Sequence, residues 1–327
     1  YKYPVGGIAL FGKNISTPQQ MSGFIDALQN AGGIPLFMAV DEEGGRVARI
    51  ANSSAFDVAK YSSAADVGAS GDTTAAEDMG ETIGAYLREY GFNMDFAPVA
   101  DVYSNPDNTV IGDRAFSSDA GTAAQMAKAM ADGLKQQQII PTFKHFPGHG
   151  HVKADSHIDI PVDKRKLKKI LREDAAPYPW LSSVLTAVMP AHVIYPKVDA
   201  LPAGFSKVWL QDILRGELRY DGAIFSDDLS MEAARRIDGE VISYTEAALR
   251  ALNAGCDMVL LCNQSLGLGE HVDALLDGMD DALRTGRWVP DVDSESRRLS
   301  LLPETMPQPW DELMLQPAYQ DALNLLN

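Results

Sequence analysis

The run Gln138-Ile139-Ile140-Pro141-Thr142-Phe143-Lys144-His145-Phe146-Pro147-Gly148-His149-Gly150-His151 begins as an apolar strand and ends as a polar, glycine-containing loop. The loop continues through Asp155-Ser156-His157 to Pro161 and holds four of the six histidines, His145, His149, His151 and His157. A charged helical stretch, read over 164–183, follows. A loop leaving a strand on a rigid scaffold is where chemistry is usually placed, and histidine is the side chain most easily poised to exchange a proton near neutral pH.

The same unit recurs to either side. Apolar runs at Gly7–Phe11, Leu36–Val40, Phe92–Val99, Thr186–Val193, Ala223–Asp228 and Asp257–Cys262 bring the strand count to seven. Helix-length segments lie between them: one opened by Thr17-Pro18, then 73–90, 120–136, 208–218 and 244–254. Continuous rather than alternating apolar character marks parallel strands buried on both faces. Neither a linker nor an internal repeat divides the chain. Seven βα units point to an eight-stranded (β/α)₈ barrel in a single domain with one strand unaccounted for, against an open doubly wound sheet. Asp41, Asp101, Lys144, His145, His192 and Asp227 stand at or just after strand ends, which in a parallel barrel share the carboxyl-end face where active sites are built.

Composition narrows the function. At 327 residues, 46% hydrophobic and 22% charged, the chain can bury a large core. With 28 basic and 45 acidic residues its formal charge is −17, which argues against nucleic acid or an anionic membrane as the main partner. No apolar run reaches the about 18 residues of a membrane span, and no signal-peptide pattern is present, although the sequence opens at Tyr1. Cys256 and Cys262 fit small core residues in a reducing, cytoplasmic compartment.

Three constellations carry chemistry. Asp227, ending Ile-Phe-Ser-Asp-Asp, suits a nucleophile or a metal ligand, while Asp228 or Ser230 suits a helix cap. Asp155 and His157, two apart on the loop, can form a carboxylate–imidazole acid/base pair or be two solvated loop residues. Asp41-Glu42-Glu43-Gly44-Gly45-Arg46-Val47-Ala48-Arg49, directly after a strand, reads as a polar recognition loop. The histidine spacing matches no standard zinc pattern, so no metal is expected.

Together these segments closely resemble the β-N-acetylglucosaminidases of glycoside hydrolase family 3, the peptidoglycan-recycling type. The stretches that carry it include Val40–Val47, Phe96–Val102, Ile111–Arg114, Lys144–Gly150, Asp155–His157, Met189–Val193 and Phe225–Met231. The resemblance runs to about residue 263, with residues 264–327 left as terminal helices and tail. It implies a (β/α)₈ barrel whose first βα unit would precede Tyr1, and an exo-acting, retaining mechanism without metal or cofactor. In that mechanism Asp227 is the nucleophile and His157, oriented by Asp155, is the acid/base. Asp41, Arg49, Arg114, Lys144 and His145 would bind the sugar, and His192 would wall the pocket. The implied substrate is an N-acetylglucosamine-terminated muropeptide, taken by a monomer. The rivals are a β-glucosidase or β-xylosidase of the same family, a metal-dependent hydrolase, and a carbohydrate-binding protein on a degenerate barrel.

Overall fold

The computed structural model describes residues 5–302 apart from 238 and 265–268, together with position 315. Seven parallel strands form one sheet in sequence order: β1 (Gly7–Ala9), β2 (Phe37–Val40), β3 (Met94–Asp95), β4 (Ile140–Phe146), β5 (Ala187–Pro190), β6 (Ala223–Asp228) and β7 (Met258–Leu260). Every strand read from an apolar run is present. The expected eight-stranded closure is not, because no described strand lies between β1 and β7.

The sheet nevertheless curls into a half-barrel. One face of each strand points into a shared interior, where Phe37 and Ala39, Met94 and Phe96, Ile140, Ala187 and Met189, and Ala223 and Phe225 pack together. The rings of Phe37 and Phe225, from strands four places apart in the sheet, meet edge to face at 5.4 Å. Ala9, Met258, Leu260, Leu301 and Leu302 lie against this cluster. Beyond β7 the Lys13 ammonium donates to Asn263 Oδ1 at 2.6 Å, drawing the first and last strand ends together.

The opposite strand faces meet the helices. Helices Thr73–Glu89 and Ala120–Gln136, each capped by an aspartate, pack through small residues. A Cβ on Gly133 would lie 2.1 Å from the Glu77 carbonyl oxygen, so only glycine allows that approach. The single helix read over 164–183 is two short ones, Leu167–Glu173 and Pro177–Leu181, because Pro177 and Pro179 start a new turn rather than continue the old one. Past β7, helices Glu270–Arg284 and Val292–Leu301 follow. The latter is pinned by Asp257, whose buried carboxylate takes Arg297 at 2.8 Å and Arg215 at 2.8 Å. Among the described residues no helix is long and apolar enough to cross a membrane.

Candidate active site

Strand periodicity delivers the functional side chains. Two residues beyond Ala39 on the inward face is Asp41; beyond Ile140 and Thr142 is Lys144; beyond Ala223 and Phe225 is Asp227. Apolar residues fill the barrel interior, and the next inward position at its carboxyl end is charged. Pairing of β4 with β5 slips in register between Lys144 and Phe146. Such a slip re-aims side chains, and here consecutive Lys144 and His145 both line the cavity.

The acidic turn after β2 is a small antiparallel hairpin, Glu42–Gly44 against Val47–Ala48, rather than a solvated loop. Glu42 is fully buried and accepts the Ile50 and Ala51 N–H groups at 2.8 and 2.9 Å and the Tyr86 hydroxyl at 2.9 Å. Burial raises its carboxyl pKa, and Glu42 anchors the hairpin rather than facing the cavity. Its neighbour Glu43 takes the forked Arg114 guanidinium through two bonds of 2.8 Å and the Lys144 ammonium at 2.6 Å. Lys144 also reaches Asp41 at 2.8 Å, and Arg49 approaches Asp41 at 3.8 Å. Burial alone would raise the Glu43 carboxyl, but Arg114 and Lys144 outweigh it and hold it far below the usual carboxylate range. Removing Glu43 leaves two buried cations, Lys144 with Asp41 and Arg114 with the Val110 carbonyl at 3.2 Å. Glu43→Ala is therefore expected to lower stability by about 3–5 kcal/mol, measured by urea unfolding. A loss under about 1 kcal/mol would show the cations to be solvated instead.

On the far side, Asp101 is buried and bridges two histidines. Its Oδ2 lies 2.7 Å from His145 Nδ1, and its Oδ1 accepts the His149 backbone N–H at 2.7 Å. Burial would raise its pKa, but His145 and His149 hold it below normal. The His149 ring is buried with neither nitrogen bonded among the described residues, and burial followed by the nearby His145 lowers its pKa to about 4. Gly150 allows this packing, since a Cβ there would sit 1.9 Å from the Val102 carbonyl oxygen.

Asp227 is also buried, its Oδ1 accepting the Asp228 N–H at 2.7 Å. Burial works to raise its pKa; the imidazoles of His145 and His192 and that N–H hold it below the normal value. His192, expected at the pocket wall, is fully buried and does not line the cavity. Asp228 does not cap a helix: it accepts the Ser230 N–H and hydroxyl at 2.8 and 2.6 Å, while Met231, with no side-chain bond, precedes helix Glu232–Arg235.

The long loop after β4 brings Asp155 and His157 to the rim. His157 Nδ1 lies 2.7 Å from Asp155 Oδ1, which also accepts the His157 N–H at 2.9 Å. The pair is open, with side chains 36% and 56% exposed, and the loop rests on the helix Glu232–Arg235 through the Ala233 N–H to the Ser156 carbonyl at 3.2 Å. Asp155 is held below its normal pKa: burial opposes this, but the His157 N–H and ring outweigh it. His151 turns away to Ser104 at 3.2 Å and lies outside the cavity.

A single cavity of about 980 Å³ gathers these groups. Asp41, Arg49, Arg114, Lys144, His145, Asp155, His157 and Asp227, all singled out in the sequence, line it. Sequence reading passed over Glu43 and His149 as site residues and left Asp101 as no more than a strand-end acid. The buried-strand context of Glu43 and the place of Asp101 after Pro98-Val99-Ala100 were the available signals. Among the described residues no three His, Cys, Asp or Glu side chains converge as a metal-holding group.

The model of the glycosyl hydrolase family 3 N-terminal domain matches residues 1–300. The chain belongs to glycosyl hydrolase family 3. It is an enzyme, a glycoside hydrolase of the β-N-acetylhexosaminidase kind. A β-hexosaminidase of Bordetella avium (strain 197N) is 42% identical over 322 residues, 97% of this chain and 87% of its own length. That of Tolumonas auensis is 43% identical over 279 residues, covering 85% of this chain and 80% of its own. Among solved structures, NagZ from Neisseria gonorrhoeae in complex with N-trifluoroacetyl-D-glucosamine superposes with a TM-score of 0.82 at 34% identity, covering 98% of this chain and 89% of that one. A family 3 β-N-acetylglucosaminidase from Paenibacillus gives 0.85 at 31% identity, this chain spanning 98% of itself and 62% of that longer chain.

Proposed function

We propose that this family 3 hydrolase is a retaining exo-β-N-acetylglucosaminidase that removes terminal N-acetylglucosamine from peptidoglycan fragments. The observation that carries the reading is the placement of Asp227 and the Asp155–His157 pair on one cavity. Asp227, held ionised by its neighbours, attacks the anomeric carbon as the glycosidic C–O bond breaks. His157 gives its proton to the leaving oxygen. Water then attacks the same carbon while His157, oriented by Asp155, takes the water's proton and Asp227 departs, so configuration is inverted twice and retained. Asp41, Arg49, Arg114 and Lys144 hold the terminal sugar through charge-assisted hydrogen bonds, with His145 beside them. A cavity of about 980 Å³ stands at the large end of ligand sites, roughly 300–1,000 Å³, which leaves room for an aglycone beyond one sugar ring. The unpaired thiols Cys256 and Cys262 favour a cytoplasmic enzyme, and the reading requires neither cofactor nor second subunit.

Proton NMR of the first-formed sugar during hydrolysis of an aryl β-N-acetylglucosaminide tests this. The β anomer is expected to appear before mutarotation, with turnover far above that of the matching glucoside. First-formed α anomer would overturn retention. Faster glucoside hydrolysis would favour the other family 3 activity.

A further inference from the structure

Asp101 is used at both oxygens. Oδ1 accepts the His149 backbone N–H at 2.7 Å, and Oδ2 faces His145 Nδ1 at 2.7 Å. Its side chain is sealed from solvent, and that of His145 is 9% exposed. An ionised carboxylate only accepts, so the nitrogen facing it must carry the proton. With Nδ1 engaged there, Nε2 is the ring nitrogen left for the cavity that His145 lines. In the singly protonated ring that nitrogen bears a lone pair.

We infer that Asp101 is a positioning residue that fixes the tautomer of His145, so that His145 meets a substrate hydroxyl as hydrogen-bond acceptor at Nε2. The inference deepens the glycosidase reading above and rests on it for the identity of the hydroxyl. The other groups assigned to the sugar, Arg49, Arg114 and Lys144, are all donors, with Asp41 an acceptor beside Lys144 and Arg49. An accepting His145 would therefore dictate which sugar hydroxyl must point its hydrogen toward Nε2. The same carboxylate holds the start of the glycine turn through His149, so the accepting nitrogen and the loop backbone share one anchor.

Asp101→Asn makes a defined switch. The His149 N–H requires an oxygen, so the new amide can sit one way round, with its NH₂ aimed at His145 Nδ1. That nitrogen must then accept, and the proton moves to Nε2, turning the cavity-facing acceptor into a donor. Nitrogen-15 NMR of histidine-labelled enzyme, at alkaline pH where the ring holds one proton, reads this directly. The signals of His145 are assigned by their loss in His145→Asn. The wild type is expected to show Nδ1–H and the variant Nε2–H. A wild-type Nε2–H, or an unchanged tautomer in a folded variant, overturns the inference; if the variant does not fold, the wild-type spectrum alone decides.

The kinetic counterpart uses aryl N-acetylglucosaminides in which each ring hydroxyl in turn is replaced by fluorine, which cannot donate. For the parent sugar Asp101→Asn should lower kcat/KM by about 10- to 100-fold. At one position the fluoro sugar should narrow that gap at least several-fold, because the wild type has lost its donor there. Equal gaps at every position would reject the substrate contact even if the tautomer moves. Absence of any N-acetylglucosaminide hydrolysis by the wild type would instead strike the functional reading, with the tautomer still settled by the spectrum.

Discussion

Asp227→Ala is expected to abolish hydrolysis of aryl β-N-acetylglucosaminides, lowering kcat on the order of 10⁴-fold or more. The size follows from the covalent role of the carboxylate: its oxygen bonds to the sugar, and no neighbour can take over. Asp228 is committed to Ser230 and to the Cys262 N–H at 2.9 Å, and Glu43 to Arg114 and Lys144. Asp41 is held by Lys144 on the opposite strand end. Stability should change little, since the side chain makes a single 2.7 Å bond to the next residue's N–H. Losing a buried charge whose burial itself is unfavourable offsets part of that. Two further results separate a nucleophile from a merely electrostatic carboxylate. A fluorinated N-acetylglucosaminide should leave a sugar mass on the wild-type peptide containing Asp227. Azide should restore turnover to the alanine variant, giving a glycosyl azide of inverted configuration. Labelling of another carboxylate, or a variant that keeps a tenth of wild-type turnover, would remove Asp227 from this role.

Why Asp227 was readable in the sequence, and Asp101 hardly, is a matter of range. Asp41, Lys144 and Asp227 stand at or just after the ends of continuous apolar runs, so a place at the carboxyl end of a buried strand marks them. The seven strands were legible from the same runs. Glu43 meets Arg114 across 71 residues and Asp101 meets His145 across 44, and nothing within either segment encodes the partner. Glu42 and Glu43 read together as part of one polar recognition loop, with nothing to separate their roles. Here one is buried against backbone N–H groups and a tyrosine, the other against two cations. His192 misled in the other direction: a histidine after a strand looks like a site residue, yet it sits under the cavity, 5.5 Å from the Phe205 ring. The break at Pro177 was visible, but a charged, helix-forming stretch on its amino side hid it.

His157→Ala should be the second most damaging change, and its effect should depend on the leaving group. With a poor leaving group, an unactivated sugar alcohol, the departing oxygen needs a proton in the transition state, and kcat/KM should fall about 10²–10⁴-fold. With a dinitrophenyl leaving group that proton is dispensable for the first step. The loss in kcat/KM should then shrink to a small factor, while kcat stays low because attack by water still lacks its base. Asp155→Asn should give a partial copy, because the 2.7 Å contact to Nδ1 sets which nitrogen carries the proton. The fold should not suffer in either variant: both side chains are substantially exposed, and the loop's anchor to helix Glu232–Arg235 is backbone. Equal losses for both leaving groups would mean that His157 binds the sugar rather than moving a proton.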